Sequence, residues 1–186
     1  MVWNNSNLID ALKRGKVAVM PTDTIYGIVG RAEDKGVVER IYQARQRAPE
    51  KPCIILIGDI AELEKFSIKL SKEQKSKLKE FWPGPVSIVL DCLDDKFSYL
   101  HRGTKGLAFR LPKDENLRNL LTHTGPLVAP SANREGAPPA QNIAEAKNYF
   151  GDKVEMYADG GTIQGSPSRL IKFNPQGGVV VLRGQS

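Results

Sequence analysis

Six short segments of this 186-residue chain carry side chains suited to holding anions, and none carries an obvious nucleophile. After Pro21, the stretch PTDTIYG presents Thr22, Thr24 and Tyr26. ARQRAPEKP, residues 44–52, holds Arg45, Arg47 and Lys51. Arg110 interrupts the otherwise apolar KGLAFRLP, and Ser131 and Asn133 follow Ala129 in the loop beginning PSAN. GSPSRLI offers Ser166, Ser168 and Arg169, and Arg183 stands near the end in LRG. Guanidinium groups, hydroxyls and glycine turns fix carboxylates and phosphates by charge-assisted hydrogen bonds. Taken singly, each segment is equally an ordinary turn or surface patch. The same chemistry recurring at four strand ends points to one shared site, since open α/β sheets bind ligands there.

The absences narrow the chemistry. The chain has no G-x-x-x-x-G-K-[ST] phosphate loop, no G-x-G-x-x-G and no H-E-x-x-H. Its two histidines, His101 and His123, lack ligand-like neighbours and read as structural. No serine or cysteine lies in a nucleophile context, so acyl-enzyme and zinc chemistry are both unsupported. Cys53 and Cys92 sit in apolar runs and read as reduced core thiols of a cytoplasmic protein. No apolar run approaches the roughly 18 residues that a membrane span requires, and the first ten residues lack the pattern of a secretory signal. The net charge of +6 favours anionic partners, nucleotides or RNA among them, and serves solubility as well.

The elements that must position these residues follow from periodicity. Apolar residues at helical spacing predict helices over 8–12, over 37–47, from Asp59 through Phe66, over 115–122 and over 143–150. Ser71 and Gln74 form a predicted capping box that opens a charged helix ending before WPGP. Strands are predicted at 17–20, 53–57, 86–90, 107–111, 127–129, 154–157, 170–173 and 179–182. PTDTIYG, residues 21–27, reads as a loop. Within 107–111, alternation puts Ala108 and Arg110 on one face, opposite Leu107, Phe109 and Leu111. In a continuous helix Arg45 and Arg47 would diverge by about 200°, so the chain must unwind near Pro49 if both are to face one ligand. With no linker or repeat, the expectation is one α/β domain over 1–186 around a twisted mixed sheet, without a C-terminal extension domain.

PTDTIYG, the basic segment ending KP, WPGPVSIVL, RLP, APSAN, DGG and GSPSRLI followed by VLRG occur in the order of the YrdC-like family. The chain resembles that family from about residue 8 to 184, in the short form. The resemblance implies a helix-flanked mixed sheet around a basic concave cavity, a fold shared with dihydroxybutanone-phosphate synthases. It also implies an activity: L-threonine, bicarbonate and ATP give threonylcarbamoyl-adenylate and pyrophosphate. A threonylcarbamoyl-transferase complex then modifies adenosine 37 of tRNA. Mg²⁺ would accompany ATP, with no ligand set assigned in the protein.

By position, the resemblance assigns the threonine site to Thr22, Thr24, Tyr26, Arg110, Ala129 and Ser168. It assigns the ATP site to Arg45, Arg47, Lys51, Ser131, Asn133 and Arg183. The chain departs from the family pattern where Arg45-Gln46-Arg47 replaces Lys-x-Arg, at Ala48 in place of a frequent proline, and at Ser168-Arg169 in place of Ser-Thr. A second reading is a module that binds double-stranded RNA, tRNA or ribosomal RNA through a basic cavity, although no aromatic stacking platform is visible. A carbamoyl-adenylate enzyme of larger maturation proteins is disfavoured by the chain's length and two cysteines, and metal-dependent sugar-phosphate chemistry by its few clustered carboxylates.

Overall fold

The computed structural model describes residues 2–173 and 178–184. In chain order the principal elements are α1 (Ser6–Lys13), β1 (Ala18–Pro21), β2 (Tyr26–Arg31), α2 (Lys35–Arg45) and β3 (Ile54–Leu56). There follow α3 (Lys72–Leu78), β4 (Val86–Asp91), α4 (Ser98–His101), β5 (Gly106–Arg110), α5 (Glu115–Thr124) and β6 (Leu127–Val128). The chain ends with α6 (Ile143–Phe150), β7 (Met156–Tyr157), β8 (Arg169–Phe173) and β9 (Val179–Arg183). The segment opened by Asp59 is a 3-10 helix, Ile60–Phe66, and not an α-helix.

Side-chain caps set the starts of the helices. Asn5, Asp34, Asp114 and Asn142 each accept backbone N–H bonds from the first turn, and Ser71 with Gln74 completes the expected capping box. Helix α2 stops at Arg45 because Gln46 takes the left-handed conformation (φ 52°), before Pro49 is reached. The predicted strand over 154–157 is reduced to Met156–Tyr157.

The nine strands of the described residues join one sheet in the order β7-β1-β2-β6-β3-β5-β4-β8-β9. Pairs β1/β7, β3/β5 and β4/β8 are parallel and the other five antiparallel, so the sheet is mixed, as expected. One face packs on α2 and the 3-10 helix through Val19, Ile28, Ile41, Ile55, Phe66 and Phe109. The other packs on α1 and α5 through Leu8, Leu12, Met20, Leu56, Leu117 and Leu121. Leu56 is the register partner of Arg110, so Arg110 lies on the face that α1 and α5 cover over β1, β2 and β3. Beyond those helices, above β5, β4 and β8, that face borders a cavity.

The region 21–27 corrects the sequence reading. It is not a loop throughout: β2 begins at Tyr26, and Pro21 pairs with Tyr26 across a turn of only four residues, 22–25. Gly27 and Gly30 disguised the strand, because glycine weakens a strand pattern. At Gly30 the missing side chain is required, since a Cβ there would lie 2.3 Å from Val37 Cγ1 of α2.

Candidate active site

The cavity encloses about 370 Å³. Its charged wall residues are Arg47, Arg110 and Arg183, joined by Thr22, Thr24, Tyr26, Ala129, Ser131 and Ser168. Nine of the twelve residues assigned from the sequence thus meet at one cavity. Arg45, Lys51 and Asn133 are not in its wall.

The β1–β2 turn is built on Thr22. Its hydroxyl donates to Ile25 O at 2.7 Å and accepts from the N–H groups of Thr24 (3.2 Å) and Ile25 (3.3 Å). Thr22 Oγ1 also lies 3.0 Å from Thr24 Oγ1. The first of the expected ligand hydroxyls is therefore engaged in shaping the turn. Tyr26 plays a comparable part: its ring is fully buried, and Oη donates to Gly161 O (2.7 Å) while accepting from Gly160 N (2.9 Å). It fastens the DGG segment over the turn.

Arg110 ends β5 on the cavity face, as alternation required. It is 3% exposed, and its Nη1 donates to Asp23 Oδ1 at 2.5 Å. Asp23 Oδ2 accepts from Lys113 N at 3.0 Å. Burial draws the guanidinium pKa down, and Asp23 opposes that shift. Arg110 Nε is buried without a protein partner.

Arg45 and Arg47 part company, as the helical angle implied. Arg45, 3% exposed, turns inward under the 131–137 loop. Its Nε donates to Asn133 O (3.1 Å), and its Nη2 to Asn133 Oδ1 (3.2 Å) and Ser131 Oγ (3.3 Å). Burial, and then the charge of Arg47, lower its pKa to about 10. Asn133 closes the same loop through Nδ2 bonds to Arg134 O and Ala137 O, both 2.8 Å. Arg45 and Asn133 thus hold Ser131 in the wall and do not reach the cavity themselves.

Past the left-handed residue 46, Arg47 enters the wall, with Nε on Lys51 O (3.0 Å) and Nη2 on Pro52 O (2.9 Å). Tyr42 Oη donates to the same Lys51 carbonyl at 2.7 Å. The Lys51 ammonium instead meets Glu135 Oε1 at 2.5 Å, and Glu135 Oε2 accepts from Ala48 N at 2.5 Å. Glu135 therefore clasps the segment that presents Arg47.

On β8 and β9, Arg183 Nη2 donates to Ser168 O at 3.0 Å, and Ser168 Oγ lies 2.8 Å from Ser87 Oγ. Arg183 is near enough to Arg47 and Arg110 that, after burial, their charges lower its pKa. Arg183 therefore feels both of the other guanidinium groups that line the same cavity. An anion between them is the natural relief. Arg169, in contrast, lies outside the wall, 6.0 Å from the ring centre of Phe81.

Sequence reasoning missed Asp23, Glu135 and Ser87. Ser87 carried a signal, because alternation in VSIVL puts it and Val89 on the face opposite Ile88. Asp23 and Glu135 carried none: each acts through residues about 90 positions away. Neither histidine is in the wall. His101 is buried with Nδ1 accepting from Gly103 N (3.1 Å), and His123 Nδ1 contacts Asn119 O (2.7 Å). Both cysteines are free and buried. No cluster of three or more His, Cys, Asp or Glu able to hold a metal occurs among the described residues, and no described helix is long and apolar enough to cross a membrane.

Comparison with known proteins gives the chain's family. The family model for Sua5, YciO and YrdC proteins, described as "Telomere recombination", matches residues 10–184. A threonylcarbamoyl-AMP synthase of Bacillus subtilis is 31% identical over 152 residues, 81% of this chain and 44% of that protein. One from Chromohalobacter salexigens is 32% identical over 152 residues, 81% of this chain and 82% of that protein. The crystal structure of Pyrococcus abyssi Sua5 complexed with L-threonine matches with a TM-score of 0.83 at 30% identity, covering 98% of this chain and 54% of that one. The chain thus spans about half the length of the Bacillus and Pyrococcus relatives.

Proposed function

The chain belongs to the Sua5/YciO/YrdC family, and from that premise we propose that it makes L-threonylcarbamoyl-adenylate from L-threonine, bicarbonate and ATP. The observation that carries this reading is the convergence of Arg47, Arg110 and Arg183 with hydroxyls on one cavity, where no histidine stands to activate those hydroxyls and burial pushes the one thiol, Cys53, toward its protonated form. The reaction asks for that set. The threonine amine and bicarbonate combine with loss of water to a carbamate. A carbamate oxygen attacks the α-phosphorus of ATP, and the bond to pyrophosphate breaks. Both nucleophiles belong to substrates. The protein's work is to align mutually repelling anions and offset charge on the leaving group.

In this reading Arg110 takes the threonine carboxylate, with Thr24, Ala129 and Ser168 around it. Thr22 and Tyr26 hold the wall in shape. Arg47, Ser131 and Arg183 take the nucleotide phosphates, while Arg45 and Asn133 orient Ser131. Lys51 serves through its clasp with Glu135. Among the described residues the cavity wall carries no carboxylate; in this reading Mg²⁺ comes bound to the ATP phosphates and offsets their charge. The product would pass to a tRNA-modifying transferase complex in the cytoplasm. The test is pyrophosphate release with threonine and bicarbonate each omitted in turn, alongside mass spectrometry of the product. The reading expects strict dependence on both and a threonylcarbamoyl-adenylate mass. ATP turnover indifferent to either substrate would overturn it.

A further inference from the structure

A site that takes both an amino acid and a nucleoside triphosphate must keep the polyanion off the amino-acid end. Three arginines in one cavity make this acute, because a desolvated guanidinium attracts a multiply charged phosphate more strongly than a single carboxylate. The arginines are not equivalent. Arg47 bonds to the carbonyls of Lys51 and Pro52, and Arg183 to the carbonyl and hydroxyl of Ser168, so neither makes an ion pair with a carboxylate among the described residues. Arg110 is paired with Asp23 at 2.5 Å, with side chains only 4% and 10% exposed.

Asp23 itself is not part of the wall, although Thr22 and Thr24 on either side are. Lys113 N holds its second oxygen from the solvent side. The four-residue turn therefore brings a carboxylate across from β1–β2 to the end of β5.

We propose that Asp23 is a specificity-determining residue: it neutralises Arg110, so that this end of the cavity accepts a zwitterionic amino acid and repels polyphosphate. The proposal rests on the function argued above and deepens it. A zwitterion brings no net charge to a neutral pair. Its carboxylate can use the guanidinium donors that Asp23 leaves free, and Nε has no protein partner to displace. Pyrophosphate would set several negative charges beside the Asp23 carboxylate in a poorly screened site, and a like-charge contact of that kind discriminates by repulsion. It is left to Arg47 and Arg183. Asp23 thus acts through Arg110 and not by touching substrate.

The test is calorimetric titration of the whole chain with L-threonine and with pyrophosphate. In the wild type, pyrophosphate should leave the threonine Kd within about twofold, and threonine should bind at least roughly tenfold tighter than 3-hydroxybutanoate, which lacks the ammonium group. Asp23→Asn should narrow the preference for threonine over 3-hydroxybutanoate to within about threefold, bind an additional equivalent of pyrophosphate, and make pyrophosphate compete with threonine. Asp23→Glu, which keeps the charge, should restore exclusion of pyrophosphate. A folded Asp23→Asn variant that loses threonine without gaining pyrophosphate would reduce Asp23 to a structural role and sink the proposal. Should that variant not fold, equal wild-type affinity for threonine and 3-hydroxybutanoate would sink it instead. A wild type that binds no threonine overturns the proposed function, while the extra pyrophosphate equivalent in Asp23→Asn still reads the charge gate.

Discussion

At the scale of single residues, the cavity separates side chains that meet a ligand from side chains that hold them out. Arg110 belongs to the first kind in the proposed function. Arg110→Ala should raise the threonine KM by roughly thirtyfold or more, since a desolvated carboxylate would lose its charged partner and Asp23 would be left unpaired. The ATP KM should move far less. Steady-state kinetics with each substrate varied in turn reads the difference, and equal shifts in both KM values would contradict the assignment. Arg47→Ala should show the opposite split, because Arg47 reaches the wall from the other loop. The arginines were legible in sequence because a charge in an apolar strand, or at a helix end, is conspicuous. The roles of Thr22 and Tyr26 were not. A hydroxyl looks alike in sequence whether it binds a ligand or closes a turn, and only the bonds to Ile25 O and Gly161 O tell which.

At the scale of elements, the site depends on the one loop between β7 and β8 lying closer to the β1–β2 turn, at two glycines, than side chains would permit. Gly160 stacks on Pro21, where a Cβ would come within 2.6 Å of the ring. At Gly165 a Cβ would lie 1.8 Å from the carbonyl oxygen of Thr24, a backbone atom that cannot swing away. Gly165→Ala must therefore push the segment carrying Ser168 off the turn carrying Thr24. The expected cost is roughly 1–3 kcal/mol of stability, as for other overpacked sites. The threonine KM should also rise, because both walls of that end move. Urea unfolding and threonine-dependent kinetics would measure the two, and a variant matching wild type in both would refute this packing argument. Most elements were readable because caps and periodicity are local: Ser71 with Gln74, and Ala108 with Arg110, behave as their spacing dictates. Strand β2 was missed because Gly27 and Gly30 are explained by what they touch across the fold, which local pattern cannot reveal.

At the scale of the whole molecule, the sheet order was beyond the sequence. Three of its pairs, β4 with β8, β2 with β6 and β1 with β7, join strands about 80 to 140 residues apart, and nothing local encodes which edge meets which. One long-range contact, Lys51 with Glu135, joins three shorter ones in setting the response to acid. Glu135, Asp94, Asp95 and Glu73, from three separate regions, all have pKa values lowered chiefly by side-chain hydrogen bonds, from Lys51, Ser67, Lys105 and Ser71 respectively. A carboxyl whose folded pKa lies below its unfolded value binds fewer protons in the native state. Its contribution is complete above the unfolded pKa, 4.5 for Glu and 3.8 for Asp, and is lost as pH falls through the folded value. The urea midpoint should therefore hold steady down to about pH 5 and decline toward pH 3. Glu135→Gln should flatten part of that decline, because the amide cannot titrate. The same variant gives up the ionic clasp on Lys51 and slackens the hold on Ala48 N, so the segment presenting Arg47 should be held less firmly at neutral pH. The ATP KM should rise several-fold while the threonine KM stays near wild type. Unchanged ATP kinetics, together with an unaltered acid limb, would show that Arg47 is held by Tyr42 and the 51–52 carbonyls without help from Glu135.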